Sequence, residues 1–324
     1  MKATARYVAC CDLGGTKALV GLVDETGRML ARERYLLPGQ REPGQLVAEL
    51  ASRLTQLVRQ AGLTWSQVIG LGCSIAAVLD AERRLIQFAP NLIGSAQNVP
   101  FKDLLQQALG RPVWLEMDAQ VTALGEAWQG AGAGAGELVY VVVGTGIGAG
   151  LLIQGQIYRG WSGTAGEFGH TTLDPRGPRC NCGNTGCLEA LASGPAIAQQ
   201  AQLALDQGRT SLIRELQPPL TAEMVMQAAR LGDPLAGEII QQTAEYLGTA
   251  LANLLNLLNP EVIVLGGGVI QGGADLLLEP IRQTAMRRCG SWIDWRKTRI
   301  VAATLGEDAG LLGAARLVWM TSPN

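Results

Sequence analysis

Two stretches of this chain follow one plan, and that repetition limits what it can fold into. Residues 6–37, "RYVACCDLGGTKALVGLVDETGRMLARERYLL", read as an apolar strand, a glycine pair, a second apolar strand, a turn at Asp24 to Gly27 and a third strand. Residues 137–160, "ELVYVVVGTGIGAGLLIQGQIYRG", repeat it: a β-branched strand over 138–143, a glycine cluster, a second strand, a turn at Gln154 to Gln156 and a short third segment. The repeat implies two related halves. At 324 residues the chain is also longer than one comfortable hydrophobic core, which points to two domains.

Between the hairpins the pattern predicts a helix over 44–61, a strand over 68–73, a helix over 101–108, a strand over 112–116 and a helix over 119–128. The glycine-rich run at 130–136 reads as a surface loop. After the second hairpin come predicted helices over 188–204, 221–230 and 234–258. The last has apolar residues at 239, 240, 247, 251, 254, 255 and 258, the spacing of a helix buried against a sheet. It runs into Asn259-Pro260 and the strand "EVIVLGGGV". A last strand over 299–304 leads to a closing helix, with Glu307 and Asp308 suited to its positive end. This is an α/β chain.

Glycine clusters directly after apolar strands let backbone amides approach a phosphate, because no Cβ stands in the way. There are three here: Gly14-Gly15, Gly144 to Gly150, and Gly266 to Gly268. The second contains G-x-G-x-x-A, but strand and turn follow it where a dinucleotide-binding fingerprint needs a helix. No G-x-x-x-x-G-K-[ST] occurs, so a P-loop is excluded.

The only histidine lies in "GHTTLDPRGPRCNCGNTGC" with three of the seven cysteines. His170, Cys180, Cys182 and Cys187 supply the imidazole and thiolates of a closed tetrahedral Zn²⁺ site, and Gly177, Gly183 and Gly186 let a short loop fold back. Alternatively these cysteines are small buried hydrophobes or redox thiols, and His170 only a hydrogen-bonding residue. The polar neighbours in Arg-Cys-Asn-Cys-Gly-Asn favour zinc. Cys10, Cys11, Cys73 and Cys289 form no framework, which fits a reducing cytoplasm. A net charge of −2 and a pI near 5.6 give no footprint for nucleic acid or anionic lipid. Asp12 ends the first apolar run too early for a signal peptide, and no stretch reaches the roughly 18 apolar residues of a membrane span. A cytoplasmic protein without nucleic-acid or membrane partners is expected.

Taken together, "DLGGTK" at 12–17, "GEFGH" at 166–170, "CNCGNTGCLEALASG" at 180–194, "GGGV" at 266–269 and "LGEDAGLLGAA" at 305–315 resemble the ROK sugar kinases, a family grouping repressors, unassigned reading frames and kinases. The resemblance covers nearly the whole chain. It implies the two-domain actin-like (ribonuclease-H-like) ATPase fold, with an interdomain cleft and a zinc-binding loop. On that basis residues 1–117 form a smaller α/β domain completed by a C-terminal helix over 306–324, and 118–305 a larger α/β domain with the zinc loop and nucleotide site. Homodimers or higher homo-oligomers are usual in the family, and helices 234–258 or 188–204 would offer an apolar face.

The resemblance also implies the chemistry. Asp118 matches the catalytic base that accepts the proton of a sugar hydroxyl; taken alone, it would equally serve as a helix N-cap. Asp12 matches the residue that holds the Mg²⁺ of MgATP through water. Gly14, Gly15, Thr16 and Lys17 match the first phosphate hairpin, Gly144, Thr145 and Gly146 the second, and Gly267 and Gly268 the nucleoside turn. Sugar ligands match Asn91, Asp118, Glu167, His170 and Glu189. The zinc is then structural, fixing the tautomer and orientation of His170.

Departures from the family pattern gather near the sugar. Met117 and Gln120 stand where Asn-Asp-x-Asn is usual, Ala76-Ala77 replace Pro-Gly, and Ser95 replaces a tryptophan. Met117 removes one sugar contact, and the Ala77 methyl crowds a glycine position. Three readings follow: a glucokinase-like ATP-dependent hexose kinase acting on the 6-hydroxyl in carbohydrate metabolism; a kinase for fructose, mannose or an N-acetylhexosamine; or a non-catalytic sugar sensor. A DNA-binding repressor is not expected, since Asp12 lies almost at the chain start.

Overall fold

The computed structural model describes residues 6–37, 39, 41–215 and 219–322. In chain order the elements are β1 (Tyr7–Leu13), β2 (Lys17–Asp24), β3 (Met29–Leu36), α1 (Pro43–Gln60), β4 (Val68–Ile75), β5 (Val78–Leu79) and β6 (Ile86–Phe88). Next come α2 (Pro90–Ile93), α3 (Phe101–Leu109), β7 (Val113–Met117), α4 (Asp118–Gln129), β8 (Leu138–Val143), β9 (Ile147–Ile153) and β10 (Gln156–Ile157). The chain continues through α5 (Leu188–Ala192), α6 (Gly194–Asp206), α7 (Ala222–Arg230), α8 (Pro234–Leu258), β11 (Val262–Gly266), α9 (Gly268–Arg288), β12 (Arg299–Ala302) and α10 (Asp308–Thr321). They form two compact units. One comprises Met1–Gly136, Gly150–Ala165 and Thr304–Asn324, the other Glu137–Ala149 and Gly166–Ala303.

The first unit is built on a sheet of order β3-β2-β1-β4-β7, antiparallel across the hairpins and parallel from β1 through β4 to β7. The first turn closes because Asp24 Oδ1 accepts the N–H groups of Thr26 and Arg28 at 2.9 and 3.0 Å, while Gly27 takes a φ of 86° that side chains resist. The alternating side chains of the sheet feed two cores. Leu13, Ile75 and Met117 face Leu46, Leu50 and Leu54 of α1 and Phe101 of α3. Val8, Cys10 and Leu19 face Leu311, Leu312 and Ala315 of α10.

The first unit extends past residue 117 because α4 lies directly against α10. A Cβ on Gly125 would stand 2.3 Å from the Ala309 carbonyl oxygen, and one on Gly313 1.8 Å from that of Val121, so the two backbones touch where glycine permits it. The closing helix, expected over 306–324, runs from Asp308 to Thr321; residues 323 and 324 lie outside the described set.

The second hairpin turns at Gln154 and Gly155, with φ of 54° and 70°, and the second sheet has order β10-β9-β8-β11-β12. Strands β8, β11 and β12 run parallel, with β11 fully buried. Helix α8 starts at Asp233, whose side chain accepts the N–H of Ala236 at 2.8 Å, and ends at left-handed Asn259.

Four differences from the sequence reading have local causes. The helix expected over 188–204 is two, because Ser193 takes an extended conformation and Pro195 can only begin a new helix. Helix α9 was not expected; the non-helical Gly273 and the internal Pro280 break its periodicity. Leu258, expected inside, is 39% exposed at the last turn of α8. The short β5–β6 hairpin and α2 carry too little pattern to read. Among the described residues, no helix is long and apolar enough to cross a membrane.

Candidate active site

In the first unit the carboxyl ends of three parallel strands bring polar residues level with one another. Asp12 of β1 pairs in register with Ser74 of β4, and Ser74 with Glu116 of β7. Ligand sites in open α/β sheets favour this edge. The Ser74 hydroxyl donates to Asp12 Oδ1 at 2.6 Å. Burial raises the Asp12 pKa, against the opposing effects of Ser74 and Lys17, so the protonated form persists above the usual carboxylate range. A Cβ on Gly310 would lie 2.6 Å from Asp12 Cγ, so the first turn of α10 approaches that carboxylate only because it carries glycine there.

The Gly14–Lys17 turn closes through Gly14 N–H to the Lys17 carbonyl at 3.0 Å. A Cβ on Gly15 would meet Asn91 Cβ at 2.8 Å, so the turn rests on α2. Lys17 pairs with Glu307, whose carboxyl this lysine holds below its ordinary range.

Asp118 is exposed at the head of α4. It is the first helical residue rather than the cap: Met117 holds the N-cap position, with φ −68° and ψ 144°, and Asp118 Oδ1 accepts the Ala119 N–H at 2.8 Å. The departures from the family pattern divide by location. Met117 is 8% exposed and belongs to the core shared with Leu13 and Ile75. Gln120 is buried; its amide donates to the Ala165 carbonyl at 2.7 Å and accepts from Leu151 N–H at 3.1 Å. Ala77 packs against the core, whereas Ala76, Ser95 and Asn91 are exposed.

In the second unit three glycine turns converge. Gly144 N–H donates to the Gly146 carbonyl at 2.9 Å, and Gly194 N–H to the Gly144 carbonyl at 2.8 Å. Gly267 has a φ of 88°, and a Cβ there would lie 2.3 Å from the Val143 carbonyl oxygen. The starts of α6 and α9 therefore stand at the end of β8; the first amides of α6 are already bonded, Gly194 to the Gly144 carbonyl and Ala196 to Ser193 Oγ at 3.4 Å, and Pro195 has none, so it is the start of α9 that suits an anion. Glu189 Oε2 accepts the Ile147 N–H at 2.9 Å, tying the start of α5 to the same hairpin.

The donor atoms of His170, Cys180, Cys182 and Cys187 all lie within 4.8 Å of one another. Cys182 and Cys187 Sγ are 3.7 Å apart, and Cys180 Sγ is 3.8 Å from His170 Nδ1. A tetrahedron of ~2.3 Å zinc–sulfur bonds requires edges of about 3.8 Å, so the donor set fits zinc. The other ring nitrogen of His170, Nε2, lies 3.8 Å from Glu167 Oε2. Two effects keep the loop closed: Gly186 has φ 70°, with Asp174 O only 1.5 Å from where a Cβ would stand, and Gly183 has φ 94°. Burial, followed by the neighbouring Cys182 and Cys180, pushes the Cys187 thiol up to about 12; the Asn184 backbone lowers that of exposed Cys182. A divalent cation would relieve the crowding of thiolates.

Sequence reasoning singled out neither Ser74, Gly310 nor Gly194. The signals were a serine inside the apolar run "LGCSI", a glycine at the head of the closing helix and a Ser-Gly-Pro break after an apolar segment.

A glucokinase of Halalkalibacterium halodurans is 36% identical over 97% of this chain and 95% of its own length. The ROK hexokinase of Thermus thermophilus superposes with a TM-score of 0.82 at 35% identity, covering 97% of this chain and 98% of the other. The ROK family glucokinase of Streptomyces griseus, solved in complex with glucose and AMPPNP, gives 0.78 at 34% identity, covering 96% and 98%. The ROK family profile matches residues 8–320, and with these relatives it establishes that the chain belongs to the ROK family.

Proposed function

We propose that the protein is an ATP-dependent hexose kinase of glucokinase type, transferring the γ-phosphoryl group of MgATP to the sugar 6-hydroxyl in glycolysis. The observation that carries this reading is the exposed Asp118 carboxylate at the head of α4, in a family whose relatives include glucokinases and hexokinases. Asp118 accepts the hydroxyl proton as the phosphoryl group is transferred. In this reading Asn91, Asp118, Glu167, His170 and Glu189, carboxylates, an amide and an imidazole of the kind that hydrogen-bond hydroxyls, are the sugar ligands. Gly14 to Lys17 and Gly144 to Gly146 present backbone amides to the phosphates, while Gly267 and Gly268 border the nucleoside.

Asp12 would hold Mg²⁺, which when bound would supply neutralisation of the phosphate charge. His170, Cys180, Cys182 and Cys187 would hold zinc with four protein ligands, which would leave no open position and make its part structural. With Nδ1 turned to the sulfurs, Nε2 carries the proton and donates to a hydroxyl.

A second reading, a kinase for another hexose, is favoured by one observation. Met117 is in the core and the Gln120 amide is bonded to backbone, so neither offers the sugar contacts expected of the usual asparagines. The experiment is ADP release from MgATP with glucose, mannose, fructose, glucosamine, N-acetylglucosamine and N-acetylmannosamine offered separately. Glucose is expected to turn over fastest; preference for another sugar selects the second reading. Turnover of none by zinc-loaded protein removes both, leaving a sugar sensor, for which calorimetry with the same panel tests binding.

A further inference from the structure

Two buried polar side chains bracket Asp118, and both are fastened to one loop. Glu116, two residues before it, is fully buried at the end of β7. Its Oε1 accepts from Arg83 Nε at 2.7 Å and from the Met117 N–H at 3.0 Å, and its Oε2 accepts from Arg159 Nε at 2.6 Å. Gln120, two residues after Asp118, holds the far end of the loop through the Ala165 carbonyl at 2.7 Å. Arg83 also donates to the Gly163 carbonyl at 2.8 Å and the Asp80 carbonyl at 3.0 Å. Loop 159–165 is thus pinned at its start, near its tip and at its end to the strand and helix that meet at Asp118.

This cluster is a poor way to gain stability. Two guanidinium groups share one carboxylate, leaving an excess positive charge, and buried ion pairs recover their desolvation penalty only with full hydrogen bonding. Arg83 also occupies the left-handed region, with φ 57°. The preceding position on the same face of β7 is apolar: Trp114 packs against the core beneath α10. What the cluster does provide is fixed geometry. The Met117 N–H is held by the side chain of the preceding residue, which sets the backbone from which Asp118 projects.

We propose that Glu116 is a positioning residue for Asp118, acting through the Met117 N–H and, with Arg83 and Arg159, through loop 159–165. The inference rests on the kinase reading with Asp118 as base. Misplacing a base by about an ångström costs on the order of a hundredfold in rate without weakening nucleotide binding.

The test compares Glu116→Gln and Arg159→Met with wild type and with Leu54→Ala, a core control in α1, each assayed with the preferred sugar well below its melting temperature. Glu116→Gln is expected to lower kcat by about tenfold to a hundredfold with the KM for MgATP within about twofold. Arg159→Met, half-exposed and safer for folding, is expected to shift kcat the same way but less, and both are expected to speed amide exchange over 159–165. Leu54→Ala is expected to lose thermal stability with kcat unchanged. Folded Glu116→Gln and Arg159→Met proteins with kcat within twofold of wild type overturn the proposal, as does an equal kcat loss in Leu54→Ala. If Glu116→Gln does not fold, Arg159→Met decides alone. Wild-type protein that turns over no sugar removes the kinase reading, and this inference falls with it; active wild type with indifferent variants removes only this inference.

Discussion

Glu189 Oε2 accepts the backbone N–H of Ile147 at 2.9 Å, and the same oxygen would lie 2.6 Å from a Cβ on Gly146. One carboxylate therefore ties the glycine hairpin to the start of α5, and Gly146 is small so that Glu189 can reach that amide.

Gly146→Ala is accordingly expected to push the Glu189 carboxylate aside rather than unfold the protein. Gly146 has no left-handed φ, and the obstructing atom is the end of a flexible side chain. The melting temperature stays within a few degrees, while kcat/KM for the sugar falls about tenfold. An unchanged kcat/KM would disconnect this glutamate from the substrate.

Asp118→Asn is expected to abolish phosphoryl transfer while sugar affinity, measured by calorimetry, stays within about tenfold. The helix start should survive, because an asparagine side-chain oxygen can still accept the Ala119 N–H that Asp118 Oδ1 accepts. Retained turnover would remove Asp118 from the role of base.

Cys182→Ala, or stripping by a strong chelator, is expected to lose zinc and sugar binding together. Three remaining ligands cannot close the tetrahedron, and the loop that orients His170 and Glu167 loosens. Metal analysis with parallel titration of sugar checks this; normal sugar affinity in zinc-free protein would contradict the role given to His170.

Asp12→Asn tests the buried carboxylate by pH. Its pKa is raised above the ordinary 3.8, mainly by burial, so the folded state holds its proton more tightly than the unfolded chain. The destabilisation from ionised Asp12 builds as pH rises from 3.8 through the raised value and persists above it. Asp12→Asn should therefore melt higher than wild type at neutral pH, with the advantage shrinking as pH falls through that window, yet lose MgATP-dependent turnover at every pH. Thermal scans across pH, with activity alongside, check both signs.

Much of this was legible from local pattern. The duplicated hairpins show because strand alternation and glycine turns are written within about ten residues, and the cluster of His170 with three cysteines because its members are 17 residues apart at most. The Glu116 cluster was not: Arg159 is 43 residues away and leaves no periodic trace. Met117 illustrates a subtler limit. It was read as a missing sugar contact, yet strand parity places it with Leu115 toward the core while Trp114 and Glu116 face the other way. Helix α9 was hidden for the opposite reason, since Gly273 and Pro280 are breakers that its burial overrides.

The close packing of α10 has a consequence for biosynthesis. A Cβ on Gly72 would stand 2.1 Å from the Ala314 carbonyl oxygen, so the face of the sheet bearing Val8 and Cys10 is covered by α10, a helix translated long after it. While residues 137–303 are being translated, that apolar face lacks α10, and the first unit stays incomplete until the residues from 304 onward have emerged. Truncations into α10 therefore threaten the first unit before the second, and a chaperone that shields exposed sheet surface is needed longest over the face that bears Val8 and Cys10.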